Sequence, residues 1–346
     1  MRSPMPSSST AQDSISFAFD AYVTAAIFDA GGVAAFALGD GSVRLAAPAG
    51  VLTIEAHDGA ILCAVRHPSG RGIVTGGDDG EVVWTRLDGD ELVATRLARQ
   101  QGRWIDAIAA SASSGLIAYA YGKQAAVIDV ADPAFERTFA HERSVAGLTF
   151  DPKGRRLAAA SYGGVSLWWA KIADQKPSVL KWPGGHGALA WSPDGKFLVS
   201  SLQENQLHGW RLSDSKDMRM GGYPAKVKSL AFTENGAILA TSGAGGAVVW
   251  PFTGATGPMG KEAAEIGLSP SGAKTTCVAA TPVLSVMAAG FDDGTLWAAN
   301  LKTGKLEKLK SDKGPPITAL AVAADAGAVA FGDEAGGAWV MRLRDF

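Results

Sequence analysis

Histidine, cysteine and serine are the residues of this chain with which metal binding or nucleophilic catalysis would begin. The five histidines are His57, His67, His141, His186 and His208, and no two stand at the spacing of zinc ligands. Glu142 follows His141, yet no second histidine stands four residues after His141, as the zinc-protease helix requires. No serine lies in a Gly-x-Ser-x-Gly elbow, and the glycine-rich residues 254–261 lack the phosphate-loop pattern. We therefore expect structural or surface roles for the histidines, and no catalytic residue, metal or cofactor.

Composition excludes further functional classes. Thirty-two basic and 34 acidic residues give the 346-residue chain a net charge of −2, so the positive field of a nucleic-acid binder is missing. Residues 1–13 are rich in serine and proline and lack the apolar segment of a secretory signal, so we interpret them as a flexible tail. Asp29, Gly31 and Gly32 interrupt the apolar residues 21–38, which are therefore no membrane span. We expect a cytoplasmic protein without a nucleic-acid or membrane partner.

A unit of about 42 residues repeats along the chain. Each copy holds three short apolar runs separated by turns, most clearly in residues 57–87, 143–169, 186–210 and 225–250. The ends of the third runs are spaced by 39, 43, 40, 42, 40, 49 and 42 residues. The runs alternate with period two and are rich in Val, Ile, Phe and Trp. This pattern predicts an all-β chain of four-stranded blades rather than a helical repeat.

The turns and strand ends of these copies resemble those of WD-repeat β-propellers. Three features carry the resemblance: a turn after the first run, an Asp-Gly turn after the second, and a tryptophan ending the third. The residues are Ser192-Pro193-Asp194-Gly195, Asp79-Gly80, Asp293-Gly294, Trp168, Trp210 and Trp250. The resemblance covers residues 14–346 and implies one propeller domain.

The resemblance also implies a hydrogen-bonded group of His, Ser or Thr, Asp and Trp in each blade. No copy contains the whole group. The second copy has His57, Thr75 and Asp79, with Thr85 in place of Trp. The fourth copy has His141 and Trp168, with Tyr162 in place of Asp. The fifth copy has Ser200, Glu204 and Trp210 and lacks the histidine.

Eight three-strand cores can be counted, and the repeats are numbered one to eight by them. The cores are residues 22–47, 60–87, 104–130, 145–170, 186–212, 226–252, 275–301 and 316–343. The eighth core runs into the C-terminal Phe346, whereas residues 15–18 form an extended run with no core of their own. We expect this N-terminal strand to complete the last blade and close an eight-bladed ring. Seven blades are the alternative, if repeat three, residues 104–130, is an insertion.

Cys63 and Cys277 occupy equivalent positions in repeats two and seven, three residues before the end of the first strand. Blades so far apart in the ring do not bring two sulfurs within disulfide distance. We expect both cysteines to act as small core residues.

One face of the ring is the candidate contact surface. The resemblance places the loops before first strands and the turns between second and third strands on that face, where aromatic and arginine side chains favour protein contacts. The candidate partner-binding residues are Trp104, Tyr121, Arg143, Tyr162, Trp182, Gln203, Tyr223 and Phe291. The resemblance implies a non-enzymatic scaffold or assembly factor that binds a protein or peptide, either as a monomer or within a larger complex.

A propeller enzyme with a metal or cofactor in the central channel is the rival interpretation. Residues 298–305, AANLKTGK, resemble one copy of a motif of quinoprotein propellers, but they equally form a turn between the third and fourth strands of a blade. The 49-residue spacing indicates an insertion at residues 253–274, in which residues 261–265 could form a helical turn.

Overall fold

The computed structural model describes residues 14–47, 50–344 and 346, and the tail predicted at residues 1–13 lies outside them. The described chain is all-β, apart from one 3-10 helix at Glu234–Gly236. The strands before this helix are β1 (Ser14–Ala18), β2 (Val23–Phe28), β3 (Ala34–Leu38), β4 (Ser42–Ala47), β5 (Gly50–Glu55), β6 (Ile61–Arg66), β7 (Ile73–Gly77), β8 (Glu81–Asp88), β9 (Glu91–Arg99), β10 (Ala107–Ser111), β11 (Leu116–Tyr121), β12 (Gln124–Asp129), β13 (Asp132–Ala140), β14 (Gly147–Phe150), β15 (Arg156–Trp169), β16 (Ser178–Trp191), β17 (Phe197–Leu202), β18 (Leu207–Arg211), β19 (Lys216–Met220) and β20 (Leu230–Thr233). The strands after it are β21 (Ile238–Thr241), β22 (Ala247–Pro251), β23 (Ala264–Ile266), β24 (Thr275–Ala280), β25 (Val286–Phe291), β26 (Leu296–Asn300), β27 (Lys305–Lys310), β28 (Ile317–Val322), β29 (Ala328–Asp333) and β30 (Gly337–Arg342).

Hydrogen bonds join the described strands into seven antiparallel sheets, which are the blades of a β-propeller. Six sheets have four strands each: β2–β5, β6–β9, β10–β13, β20–β23, β24–β27 and β28–β30 with β1. The seventh, called the double blade below, has the six strands β14–β19. The first strands contact one another in a closed circle in the order β2, β6, β10, β14, β16, β20, β24, β28 and again β2.

The prediction of eight separate blades is therefore wrong, because repeats four and five share the double blade. Ala170 N donates to Arg155 O at 2.9 Å, so the 14-residue β15 folds back on itself and supplies two strands of repeat four. The 14-residue β16 is the outer strand of repeat four and continues into the first strand of repeat five. Seven blades, our alternative, is the observed number, but repeat three is no insertion: it forms the complete sheet β10–β13.

Glycines make the continuous double blade possible. Gly163 and Gly164 have φ of 94° and 144°, in the region that side chains disfavour, at the bend of β15. A Cβ on Gly164 would overlap the carbonyl of Leu180 in the adjacent strand. Gly185 pairs with Tyr162 where β16 passes from one repeat to the next. The backbones therefore stay paired at a place where the sequence predicts separate blades.

The N-terminal strand closes the ring, as the sequence predicts. β1 pairs with β30 in antiparallel register, from Ser14 opposite Met341 to Ala18 opposite Gly337. Thr318 Oγ1 of β28 donates to Val23 O of β2 at 2.7 Å, which ties the last repeat to the first. The final blade therefore combines the two ends of the described chain in one sheet.

The core lies between neighbouring blades rather than at one centre. Every residue of the second strands β3, β7, β17 and β25 is buried, whereas the outer strands β5 and β9 are largely half-buried or exposed. One cluster packs Val74 and Val82 of one blade against Ile108, Ile117 and Tyr119 of the next. Because each blade buries its faces only against its neighbours, the stability of a blade depends on ring closure.

Close packing between blades requires glycine in the second strand. A Cβ on Gly290 would lie 2.6 Å from Ile317 Cγ2 of the next blade, and a Cβ on Gly76 would lie 2.6 Å from Ile105 Cγ2. We expect Gly290→Ala to destabilise the protein by about 2 kcal/mol, since an added methyl overpacks this contact. Chemical denaturation measures the change. Gly221→Ala is the control, because nothing lies within 4 Å of its Cβ position and its φ is ordinary; equal losses in both variants would contradict the packing argument.

The insertion at residues 253–274 contains a short strand, β23. The predicted helical turn at residues 261–265 is wrong, because residues 264 and 265 belong to the outer strand β23. Its Ala264 pairs with Val249 of β22, so a strand partner determines this conformation.

Cys63 and Cys277 are free thiols, and burial raises the pKa of Cys63 to about 12 and that of Cys277 to about 11. Both cysteines pack in the core, as expected.

Candidate protein-binding face

Strand direction determines which loops share a face of the ring. In the third blade, Ala107 at the start of β10 pairs with Ala120 near the end of β11. The loop that enters a first strand and the turn that leaves a second strand therefore lie at the same edge. We call the surface formed by these loops and turns the loop face. All eight candidate residues lie in or beside such segments.

The exposure of the candidates differs widely. Trp104 and Tyr162 are 66% and 67% exposed, and Arg143 and Gln203 are also exposed. Tyr121 and Trp182 are half-buried. The structure contradicts the surface positions predicted for the other two, since Tyr223 is 8% and Phe291 1% exposed.

Tyr223 is a member of a buried hydrogen-bond chain. Trp250 Nε1 donates to Tyr223 Oη at 2.7 Å, and Tyr223 Oη lies 2.7 Å from Thr241 Oγ1. Thr241 Oγ1 donates to Val248 O, so Tyr223 donates to Thr241. Burial raises the pKa of Tyr223 to about 12. Tyrosine thus occupies in repeat six the place that the WD-repeat pattern gives to histidine. Phe291 packs against Trp297 in a core cluster.

We expect Tyr223→Phe to destabilise the protein by about 1–2 kcal/mol, because the indole N–H of Trp250 loses its acceptor and Thr241 Oγ1 loses the hydrogen bond that Tyr223 donates. Thermal unfolding followed by circular dichroism measures the loss. Tyr162→Phe is the matched control, since Tyr162 is exposed. If Tyr223→Phe were as stable as Tyr162→Phe, the hydrogen-bond chain would have no structural role.

The hydrogen-bonded group predicted in repeat two is present except for its tryptophan. His57 Nε2 lies 2.8 Å from Thr75 Oγ1, and His57 Nδ1 lies 3.1 Å from Asp79 Oδ1. Hydrogen bonds, including that to His57, hold the pKa of Asp79 below its usual value despite burial. Thr85, which replaces the tryptophan, is buried, and its hydroxyl has no partner among the described atoms. His57 thus ties the loop that enters the first strand of repeat two to its second strand and to the turn that follows.

Repeat five contains a histidine that the sequence interpretation missed. His186 Nδ1 lies 2.7 Å from Ser200 Oγ, and its ring is 5.6 Å from that of Trp210. His186 precedes Ser200 by 14 residues, whereas His57 precedes Thr75 by 18, so the shorter spacing concealed it. In repeat four, Trp168 Nε1 donates to His141 Nε2 at 3.0 Å. Burial lowers the pKa of both histidines, in agreement with neutral structural rings.

The structure brings Arg143 and Tyr162 together at one cavity of about 500 Å³ in the double blade. Its lining also includes His141, Trp168 and Lys181. The turn that carries Tyr121 is joined to the Arg143 loop by two hydrogen bonds. They run from Val145 N to Gly122 O and from His141 N to Lys123 O, each 2.9 Å.

The other candidates lie apart from this cavity. The Trp104 loop is joined to the second repeat through Ile105 N and Gly77 O, at 3.0 Å. The rings of Trp182 and His208 stack with their centroids 3.8 Å apart, and Arg219 Cζ lies 4.4 Å from the centroid of the Trp182 ring. Gln203 Oε1 accepts from Lys226 Nζ at 3.1 Å. The candidates are thus spread over the loop face, and only Tyr121, Arg143 and Tyr162 form a compact set.

A second cavity, of about 850 Å³, lies beside the sixth repeat, where Tyr223 and Trp250 line it together with Lys261, Glu265 and Leu268 of the insertion. The insertion therefore borders a recess on the propeller side.

No group of three or more His, Cys, Asp or Glu side chains in the described part of the chain is placed to hold a metal ion. No helix in that part has the length and apolarity needed to cross a membrane.

Comparisons with known proteins agree with this architecture. The family model described as WD domain, G-beta repeat matches residues 50–84 and 134–168. The computationally designed Ika8 protein is similar in structure, with a TM-score of 0.74 at 18% identity, over 94% of this chain and 98% of that one. The crystal structure of RRP9 WD40 repeats is similar with a TM-score of 0.62 at 15% identity, over 83% of this chain and 96% of that one. At these identities the two structures are evidence of fold alone.

Proposed function

Since this chain is a WD-repeat β-propeller, we propose that it is a non-enzymatic scaffold or assembly factor that binds a protein or peptide partner on the loop face. Propellers of this family generally mediate protein interactions. The observation that carries the proposal is the exposure of Trp104 and Tyr162 on the loop face, where the exposed Arg143 lines the same cavity as Tyr162. Aromatic and arginine side chains contribute most of the binding energy in protein interfaces. We place this function in the cytoplasm, with the protein acting as a monomer or within a larger complex.

Rigidity of the loop face supports the proposal. The loops that enter the first strands of repeats two, three and four are hydrogen-bonded to the turns of the preceding repeats at Gly41, Gly77 and Gly122. A surface that is already ordered loses little conformational entropy when a partner binds. The backbone that carries Trp104 is therefore ordered before binding, through the hydrogen bond from Ile105 N to Gly77 O.

Affinity purification with the double variant Trp104→Ala/Arg143→Ala tests the proposal. The matched control is Trp169→Ala/Lys153→Ala, which removes an exposed tryptophan and an exposed lysine from the opposite face of the double blade. We expect mass spectrometry to find a stoichiometric protein partner with the wild type and the control, and at least tenfold less with the loop-face variant. Equal recovery with both variants would refute the assignment of the face. A stoichiometric metal or chromophore in the purified protein would favour the channel enzyme instead.

A further inference from the structure

Charged residues are distributed unevenly over the loop face. In repeats three and four, the four cations Arg103, Lys123, Arg143 and Lys181 are all exposed. In repeats one and two, the corresponding segments, residues 19–22, 39–41, 56–60 and 78–80, contain no lysine or arginine. They contain Asp20, Asp40, Asp58, Asp78 and Asp79 instead. The loop face of repeats one to four is therefore divided into an acidic and a basic part.

The four cations are available for a ligand. Within the described residues, no carboxylate lies within ion-pair distance of any of them, whereas Arg96, Lys171 and Arg211 on other surfaces are paired. Asp106 and Glu142 are the acidic residues of the same segments, so the cations outnumber them two to one. Unpaired, exposed cations keep their charge accessible for complementary contacts with a partner.

Aromatic side chains lie among these cations. Arg103 is close enough to Tyr121 to influence its hydroxyl electrostatically. Lys181 pairs with Gly164, two residues from Tyr162, at the cavity that also contains Arg143. Trp104 directly follows Arg103. We call Arg103, Trp104, Tyr121, Lys123, Arg143, Tyr162 and Lys181 the basic sector.

We propose that the basic sector binds an acidic peptide segment of the partner, whose Asp or Glu side chains contact the cations and whose apolar or aromatic residue enters the cavity between Arg143 and Tyr162. This inference rests on the proposed function and names the chemistry of the partner. A cavity of about 500 Å³ has room for one or two side chains, but not for a folded domain. The partner therefore contributes a short extended or loop segment at this point.

The acidic part of the loop face argues for a short acidic peptide over a nucleic acid. A continuous polyanion that left the basic sector towards repeat two would meet Asp58 and Asp78, and like charges repel it. A peptide places negative charge at only a few positions and can present neutral or basic residues beyond the sector. The charge pattern thus favours the basic sector as the binding position of the segment.

Selection from a phage library of random dodecapeptides, carried out at low ionic strength, tests this inference. We expect the peptides bound by the wild type to be enriched in Asp and Glu by about threefold over the input, with one apolar or aromatic residue. Lys123→Glu/Arg143→Glu should remove this enrichment or reverse it towards Lys and Arg. The control Lys313→Glu/Lys153→Glu makes the same change in net charge outside the sector, at two exposed positions, and should select the same peptides as the wild type.

Several outcomes would overturn the inference. They are the absence of any selected peptide, the same peptide composition from the wild type and Lys123→Glu/Arg143→Glu, loss of acidic enrichment in the control, and displacement of the peptides by a short oligothymidylate. Thermal melts of the purified variants confirm that each is folded before selection. If the lysate partner still depended on Trp104 and Arg143 while no acidic peptide were selected, the proposed function would stand and this inference alone would fail.

Discussion

A protein without residues 1–18 loses its cooperative thermal transition or melts at least 10 °C lower than the full chain. The deletion removes β1, which leaves β30 as an exposed edge. Phe17 also leaves the cluster in which it packs against Phe36, at a ring distance of 6.3 Å. Because closure stabilises all blades together, the loss exceeds that expected for one five-residue strand. Differential scanning calorimetry measures the transition.

Deletion of residues 1–13 alone provides the matched control, because β1 begins at Ser14. This shorter deletion should melt within about 2 °C of the full chain, a difference that corresponds to about 1.5 kcal/mol for a chain of this length. An unchanged transition after removal of residues 1–18 would show that the ring is stable without its closing strand.

Acidification from pH 7 to about 4.5 should destabilise the protein by several kcal/mol, in part because of two buried histidines. Burial lowers the pKa of His208 to about 4, and burial together with Arg86 lowers that of His67 to about 4. The ordinary pKa of histidine is 6.5, so between pH 6.5 and pH 4 the unfolded chain binds protons that the folded protein does not. Stability is therefore present above pH 6.5 and is lost as the pH falls towards 4, by about 2 kcal/mol for each ring.

The surroundings of His208 explain why it stays neutral. Its ring stacks on Trp182 at 3.8 Å and meets Trp210 edge-on at 4.8 Å. Neither ring nitrogen has a hydrogen-bond partner among the described atoms. Asp217 Oδ2 is 3.6 Å from Nε2 and favours the charged form, but burial and the nearby positive charge of Arg219 oppose it.

His208→Phe isolates this contribution, since phenylalanine keeps a ring against Trp182 and cannot bind a proton. Urea denaturation at several pH values should show that the variant loses about 2 kcal/mol less than the wild type between pH 7 and pH 4.5. Glu55→Gln, at an exposed carboxylate on an outer strand, is the control and should follow the wild type. Parallel stability curves for His208→Phe and the wild type would show that His208 does not titrate in this range.

Much of the fold follows from the sequence because blade formation depends on local signals. Turns such as Asp79-Gly80 combine a positive φ at Gly80 with an aspartate that accepts from Glu81 N at 2.9 Å. The closing strand was also predictable, since the eighth core has no residues left for an outer strand. The merging of repeats four and five was not predictable. It depends on how many residues around Gly163 and Gly184 stay hydrogen-bonded to the adjacent strand, and amino-acid composition does not determine that number.

The candidate site was predictable in position but not in burial. Topology places every candidate residue at the loop face, yet Tyr223 turns inward because Trp250 and Thr241 offer hydrogen bonds there. A tyrosine in a histidine position cannot be distinguished from a surface tyrosine by repeat alignment alone. Arg143 and Tyr162 meet at one cavity because the double blade brings their turns together, which the spacing of 19 residues did not indicate.

Pairing of β1 with β30 also gives the propeller the topology of a circle. Since Ser14 lies opposite Met341, a short linker between the ends would make the backbone order of the repeats cyclic, and new termini could then be opened at another turn. Gly89, between the third and fourth strands of repeat two, has open space around its Cβ position and lies at the edge opposite the loop face. A circular permutant opened there would build the present closing blade from consecutive strands, and the ring would instead close in repeat two, where β9 at the new N-terminus pairs with β8 at the new C-terminus. The new ends would direct any fused domain away from the basic sector.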